Sequence, residues 1–145
     1  MPLCEYFLAT DAELSSLAES GSPGDGLARG QIPAGTMTRV DAKGFDVLPI
    51  EALGKRLGVG RATADGKPDI HSDDFEWFVQ RLTPGMVAAL ASQSDEACAE
   101  HARALTEAGV TDWDPSDLRG LLSELSAMAR RAEPEGRGLF MWIST

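Results

Sequence analysis

The hydrophobic pattern is clearest in residues 112–145, where an amphipathic helix is followed by an apolar strand. Asp114 and Pro115 form a typical helix start, since aspartate caps free N–H groups and proline fits the first helical position. Apolar residues then recur at spacings of three and four, which predicts one buried helix face. These residues are Leu118, Leu121, Leu122, Leu125, Met128, Ala129 and Ala132. Pro134 should end the helix, and the apolar run of residues 139–143 predicts a strand buried on both faces.

Weaker patterns predict the remaining elements. Residues 3–9 are nearly all apolar, as in an inner strand, and Thr10 and Glu13 have the spacing of a capping box that starts a helix over residues 11–19. Residues 20–35 contain five glycines and two prolines, which predicts a long flexible loop. The same rules predict strands over residues 36–40 and 75–82, and helices over residues 49–57, from Pro84 through Leu90, and from Ser94 to a stop at Gly109.

This order of elements predicts an α/β or α+β fold, with residues 1–145 forming a single domain. We expect about four strands in a mixed sheet that is covered by helices. A chain of 145 residues can bury a sufficient core without a disulfide or a structural metal. Cys4 and Cys98 match no metal-binding or redox spacing, so both are predicted to be small buried residues.

The negative charge is concentrated in the middle of the chain. The net charge is −10, and residues 69–117 alone hold eleven acids and two bases. The electrostatic field of this negative charge repels nucleic-acid phosphates and anionic membranes and attracts basic proteins. A more general interpretation is that the acids keep the protein soluble. No apolar run is long enough to span a membrane and the first residues do not form a secretory leader, so we expect a cytoplasmic protein.

Eight residues of this region form the candidate binding face. They are Asp69, His71, Asp73, Asp74, Glu76, Asp95, Glu96 and Glu100. We expect them on one side of the folded molecule, where they would steer a basic protein partner. The segment around His71 lacks the glycine and the alternating acids of a calcium-binding loop. Because no histidine or serine has a known catalytic spacing either, we predict no metal ligand, no catalytic residue and no cofactor.

Both ends of the chain resemble known small proteins. The opening residues 4–14 and the closing residues 122–143, a helix followed by a glycine-containing turn and an aromatic strand, look like small uncharacterised proteins of high-GC bacteria. More distantly, these segments resemble the YfbM-like family, whose function is unknown. The resemblance implies a compact α/β fold and carries over no active site.

Three functional hypotheses follow from these patterns. The first is a small, soluble, acidic protein-interaction module, of the kind found in immunity or inhibitor proteins, that presents its acidic face to a basic partner. The second is an enzyme with a non-standard site near His71, with Asp73 and Asp74 as its first candidate partners. The third is a small-ligand binder with a pocket under the long loop. The oligomeric state is left open by all three.

Overall fold

A computed structural model describes residues 3–19, 39–64, 69–71 and 77–144, and it is an α+β fold. The strands of this described part are β1 (Leu3–Ala9), β2 (Arg39–Asp41), β3 (Ile70–His71), β4 (Trp77–Arg81) and β5 (Gly138–Ser144). The helices are α1 (Asp11–Glu19), α2 (Val47–Arg56), α3 (Pro84–Ala91), α4 (Asp95–Glu107) and α5 (Pro115–Ala132). The predicted flexible loop, residues 20–35, lies outside the described residues.

The five strands form one sheet in the order β2-β1-β5-β4-β3, and each pair of neighbours is antiparallel. This differs from the mixed sheet expected from the order of elements. β1 and β4 run in the same direction, but β5 lies between them and runs the opposite way, so no parallel pair forms. Of the four strands predicted, each has a counterpart in the sheet; the two-residue β3 at the edge is additional.

Local capping signals explain where several helices begin. The N–H of Thr10 donates to Glu13 Oε1 at 2.8 Å and the N–H of Glu13 donates to Thr10 Oγ1 at 3.1 Å, so the predicted capping box is confirmed. Asp114 accepts the N–H of Ser116 at 3.2 Å and caps α5 as expected. The start of α2 differs: it begins at Val47 rather than Pro49, because its first turn accommodates the proline.

The two faces of the sheet have different coverings. One face carries alternate residues of the two central strands, among them Tyr6 of β1 and Met141 of β5, and packs with helices α2, α3, α4 and α5 in the main core. α5 contacts α3, α4 and three of the strands, which places it at the centre of this layer. The opposite face carries Phe7, Phe140 and Trp142, which pack with Leu14 of α1. β5 is therefore buried on both faces, as predicted.

Both cysteines lie in this main core, as predicted. Cys4 is 1% exposed and Cys98 is 2% exposed, and neither forms a disulfide. Burial, together with the negative charges of Asp46 and Asp41, raises the pKa of Cys4 far above its ordinary value. Because a thiol needs its thiolate form to react, Cys4 is a packing residue.

No helix among the described residues is long and apolar enough to cross a membrane.

Candidate interaction surface and cavity

The structure divides the predicted binding face between two elements. Asp69 and His71 are exposed residues at β3, on the edge of the sheet. Asp95, Glu96 and Glu100 are exposed on α4. The other three predicted members, Asp73, Asp74 and Glu76, lie outside the described residues. The structure therefore brings together the three α4 carboxylates on one helix, and it assigns the residues at β3 to a different element.

Asp69 has a local structural role at the sheet edge. Its Oδ2 accepts the backbone N–H of Arg81 at 2.7 Å, and its own N–H donates to the carbonyl of Val79 at 2.8 Å. The carboxylate thus satisfies a backbone donor of β4 next to the short β3 strand. His71 pairs with Phe78 in that same strand. Among the described residues, no group of three His, Cys, Asp or Glu side chains could hold a metal ion.

The acids on α4 belong to a longer acidic stretch that continues into α5. We define the acidic surface as Asp95, Glu96, Glu100, Glu107, Asp112, Asp114 and Asp117, all of which are exposed. Arg103 is the only Lys or Arg between residues 82 and 118. None of the seven carboxylates takes part in an ion pair between described residues. Four of these acids, Glu107, Asp112, Asp114 and Asp117, were not included in the face expected from the sequence. Their place in the acid-rich stretch of residues 69–117 was a signal that could have included them.

Part of this acidity serves the helices themselves. Ser94 caps α4 by accepting the N–H of Ala97 at 3.1 Å, so Asp95 and Glu96 lie in the first turn, near the positive end of the helix dipole. Asp95 Oδ1 also accepts a hydrogen bond from Ser123 of α5 at 3.4 Å. Glu96 and Glu100 lie one helical turn apart and accept no hydrogen bond from a described residue, so their charge is directed to solvent.

His101 does not offset this negative charge at neutral pH. Its Nδ1 accepts a hydrogen bond from Arg56 Nε at 3.1 Å, which places the proton of a neutral ring on Nε2. Burial lowers the pKa of His101 below 6.5, the Arg56 charge lowers it further, and the neighbouring Glu100 only partly opposes this shift. The imidazole is therefore neutral at pH 7.

A separate feature, with no signal in the sequence, is a cavity of about 320 Å³ between α3, the end of α5 and the start of β5. Its walls are mainly apolar, with two arginines and one glutamate among the lining residues. The lining comprises Arg81, Leu82, Pro84, Val87, Ala88, Ala91, Ala129, Ala132, Glu133, Arg137, Gly138 and Leu139. The pocket expected under the long loop depends on residues 20–35, which lie outside the described residues, so it stays a prediction.

The two arginines of the cavity are held by carboxylates of α1. Arg81 Nη2 donates to Asp11 Oδ1 at 2.8 Å, and Arg137 Nη1 donates to Glu13. Arg137 is largely buried, and its Nε lies 3.2 Å from Glu135 Oε1. Because the capping box fixes Glu13 at the first turn of α1, it also positions the guanidinium of Arg137.

Comparison with protein-family models, curated proteins and solved structures finds no match to this chain. The resemblance to the YfbM-like family therefore stays a prediction.

Proposed function

We propose that this protein is an interaction module that binds a basic protein through the acidic surface of α4 and the start of α5. The observation that carries the proposal is a row of seven exposed carboxylates along α4, the turn that follows it and the start of α5. None of the seven has an ion-pair partner among the described residues. Unpaired like charges raise the free energy of the isolated molecule, and a basic partner would relieve that repulsion.

The dimensions of the acidic surface suit electrostatic steering. α4 has 13 residues and is about 20 Å long at a rise of 1.5 Å per residue. Neighbouring carboxylates on it therefore lie within a Debye length of about 8–10 Å at moderate salt, so their fields add. Asp69 and His71 of the predicted face are not needed for this proposal. Immunity and inhibitor proteins are the functional class with which such a surface fits best.

The test is capture of a partner from a lysate of the source organism, followed by measurement of its association rate. Glu96→Gln combined with Glu100→Gln removes two charges, and neither side chain makes a hydrogen bond to a described residue, so the fold should be kept. We expect association to slow by about 3–10-fold at low salt, because steering depends on local charge. The difference should disappear near 0.5 M NaCl, where screening removes the field.

The matched control is Glu124→Gln combined with Glu133→Gln, which removes the same net charge from exposed positions outside the acidic surface. This pair should change the association rate much less. If both pairs slow association equally, total charge and not the acidic surface is responsible. If a captured partner is acidic, or binds with no dependence on salt, the proposed function is wrong.

A further inference from the structure

We propose that two copies of this chain pair through the free edges of their β2 strands and form a two-fold dimer with one continuous sheet. This pairing does not rest on the acidic surface or on the function proposed for it. β2 (Arg39–Asp41) is the last strand at one edge of the sheet, and β1 is its only neighbour among the described strands. A strand edge of this kind presents N–H and C=O groups to which a strand of another chain can add.

The hydrogen bonds of β2 show which backbone groups lie on its free edge. The N–H of Ala42 donates to the carbonyl of Cys4 at 2.8 Å, and these two residues continue the register of β1 and β2 by one pair. Hydrogen-bonded and non-hydrogen-bonded pairs alternate in an antiparallel ladder. Val40 therefore bonds to β1, whereas the N–H and C=O groups of Arg39 and Asp41 face away from it. A second strand can bond to these groups without disturbing β1.

The charges of β2 select one register for this pairing. Within β2, an antiparallel second copy can align its outward groups by placing Arg39 opposite Arg39, Asp41 opposite Asp41, or Arg39 opposite Asp41. The first two registers place like charges directly opposite each other at about 4.5–5.5 Å, which is destabilising. The third gives two Arg–Asp pairs and four backbone hydrogen bonds, with Val40 on the two-fold axis. The strand is thus complementary to itself, as a two-fold interface requires.

Both charged side chains are available to a second copy. Arg39 and Asp41 are exposed, and alternation along the strand puts them on the same face of the sheet. Neither takes part in an ion pair between described residues. The Asp41 carboxylate accepts the N–H of Lys43 at 3.2 Å through Oδ1, so Oδ2 stays available to an arginine of the second copy.

The surroundings of β2 leave room for a second strand. Two cavities of about 360 and 220 Å³ lie between β2 and α5, and Val40 lines both, so they adjoin along the edge. The flank of α5 beside them includes two small exposed residues, Gly120 and Ala127. A Cβ atom on Gly120 would meet no atom within 4 Å. α5 therefore leaves this edge accessible.

The first test is the oligomeric state of the full chain, measured by sedimentation equilibrium. At about 0.15 M NaCl, screening limits the repulsion between two chains of net charge −10. Because β2 has only three residues, we expect a weak dimer with a dissociation constant on the order of 100 µM. Hydrogen exchange at the N–H groups of Arg39 and Asp41 should slow between about 10 µM and 1 mM protein, whereas exchange at Val40 should not change. A monomer throughout this range would overturn the proposal.

Charge reversal tests the register. Arg39→Glu places two acids opposite each other in both halves of the dimer, and Asp41→Lys does the same with two bases. Each variant alone should dimerise at least about tenfold more weakly than the wild type. An equimolar mixture of the two variants should recover the wild-type affinity, because every position then meets an opposite charge. Since misfolded variants would not recover on mixing, the mixture separates pairing from folding.

The matched controls are Arg119→Glu and Asp112→Lys, which make the same reversals at exposed positions outside β2 and its groove. Neither should change the dissociation constant. If the single reversals in β2 dimerise as tightly as the wild type, or if their mixture stays monomeric, self-pairing is wrong. It is also wrong if the chain stays monomeric and Arg39 and Asp41 are protected only by a basic partner, since the edge then accepts a foreign strand.

Discussion

Glu51 is expected to be the anchor that holds residues 61–64 against α2. Its Oε2 accepts the N–H of Ala62 at 3.2 Å, and its Oε1 accepts both the N–H and the hydroxyl of Thr63, at 3.1 and 2.9 Å. Ala62 and Thr63 are 0% and 2% exposed, so water does not readily replace the carboxylate. The same segment also pairs with the residue that follows β4, because Thr63 forms an isolated antiparallel β-bridge with Leu82.

Glu51→Ala should therefore leave buried donors without an acceptor. A lost hydrogen bond that strands a buried donor costs about 1–3 kcal/mol, and three bonds to one carboxylate are not additive. We expect a loss of about 2–4 kcal/mol in the free energy of unfolding, measured by urea denaturation at pH 7. Glu51→Gln keeps one acceptor oxygen and should cost about 1 kcal/mol. Glu124→Ala, at an exposed carboxylate of α5, is the control and should change stability by less than about 0.5 kcal/mol.

The pH dependence provides a second check on Glu51. Burial by itself raises the pKa of this carboxyl, but the hydrogen bonds from Ala62 and Thr63 and the charge of Arg61 together lower it below 4.5. A lowered pKa in the folded state means that the stabilisation is present above pH 4.5 and is lost as the pH falls through the folded-state value. The difference between wild type and Glu51→Gln should therefore shrink below pH 4.5. A cost for Glu51→Ala no larger than that of the control would refute the anchoring role.

Two further changes test the core and the sheet. Leu125→Ala truncates a leucine of α5 that is 0% exposed, so we expect urea denaturation to show a loss of about 2–5 kcal/mol in the free energy of unfolding. Leu48→Ala, at a leucine that is 78% exposed, is the control and should change this free energy little. Equal effects of the two changes would contradict the assigned core. Burial raises the pKa of Glu5, the charge of Arg39 opposes this shift, and the charge of Asp41 adds to it. Among the described residues, Glu5 Oε2 has no hydrogen-bond partner. Because the pKa of Glu5 is raised in the folded state, its contribution to stability is present below pH 4.5 and is lost as the pH rises. Glu5→Gln should therefore raise the melting temperature at pH 8 and not at pH 4. An equal shift of the melting temperature at both pH values would contradict this prediction.

The helices and long strands were predictable because their signals are local. The capping box at Thr10 and Glu13 sets the start of α1, and the three- and four-residue spacing of leucines sets the buried face of α5. The short strand β3 was not predicted, since two residues carry no periodic pattern and are strands only through their pairing with Val79 and Phe78. Residues 20–35 lie outside the described part of the chain, so the predicted flexible loop stays a prediction.

The features of the candidate sites can likewise be divided into those that the sequence predicts and those that it does not. An excess of acids between residues 69 and 117 is visible in the sequence, and the helix pattern was sufficient to place Glu96 and Glu100 on one face of α4. Composition does not distinguish Asp69, whose carboxylate accepts a backbone hydrogen bond, from acids that have no such partner. The cavity has no sequence signature, because its lining comes from two stretches, residues 81–91 and 129–139, that are far apart along the chain.

The sequence by itself determined the elements, the buried faces of the main helix and last strand, and the concentration of negative charge. Periodicity and capping act between residues a few positions apart, so each can be recognised without knowledge of the rest of the molecule. Only the tertiary structure decided that β5 lies between β1 and β4, and this insertion made the whole sheet antiparallel. It also brought Arg81 over Phe140 and beside Asp11, residues 59 and 70 positions away along the chain. Such contacts depend on which elements pack together, and packing is a property of the complete core.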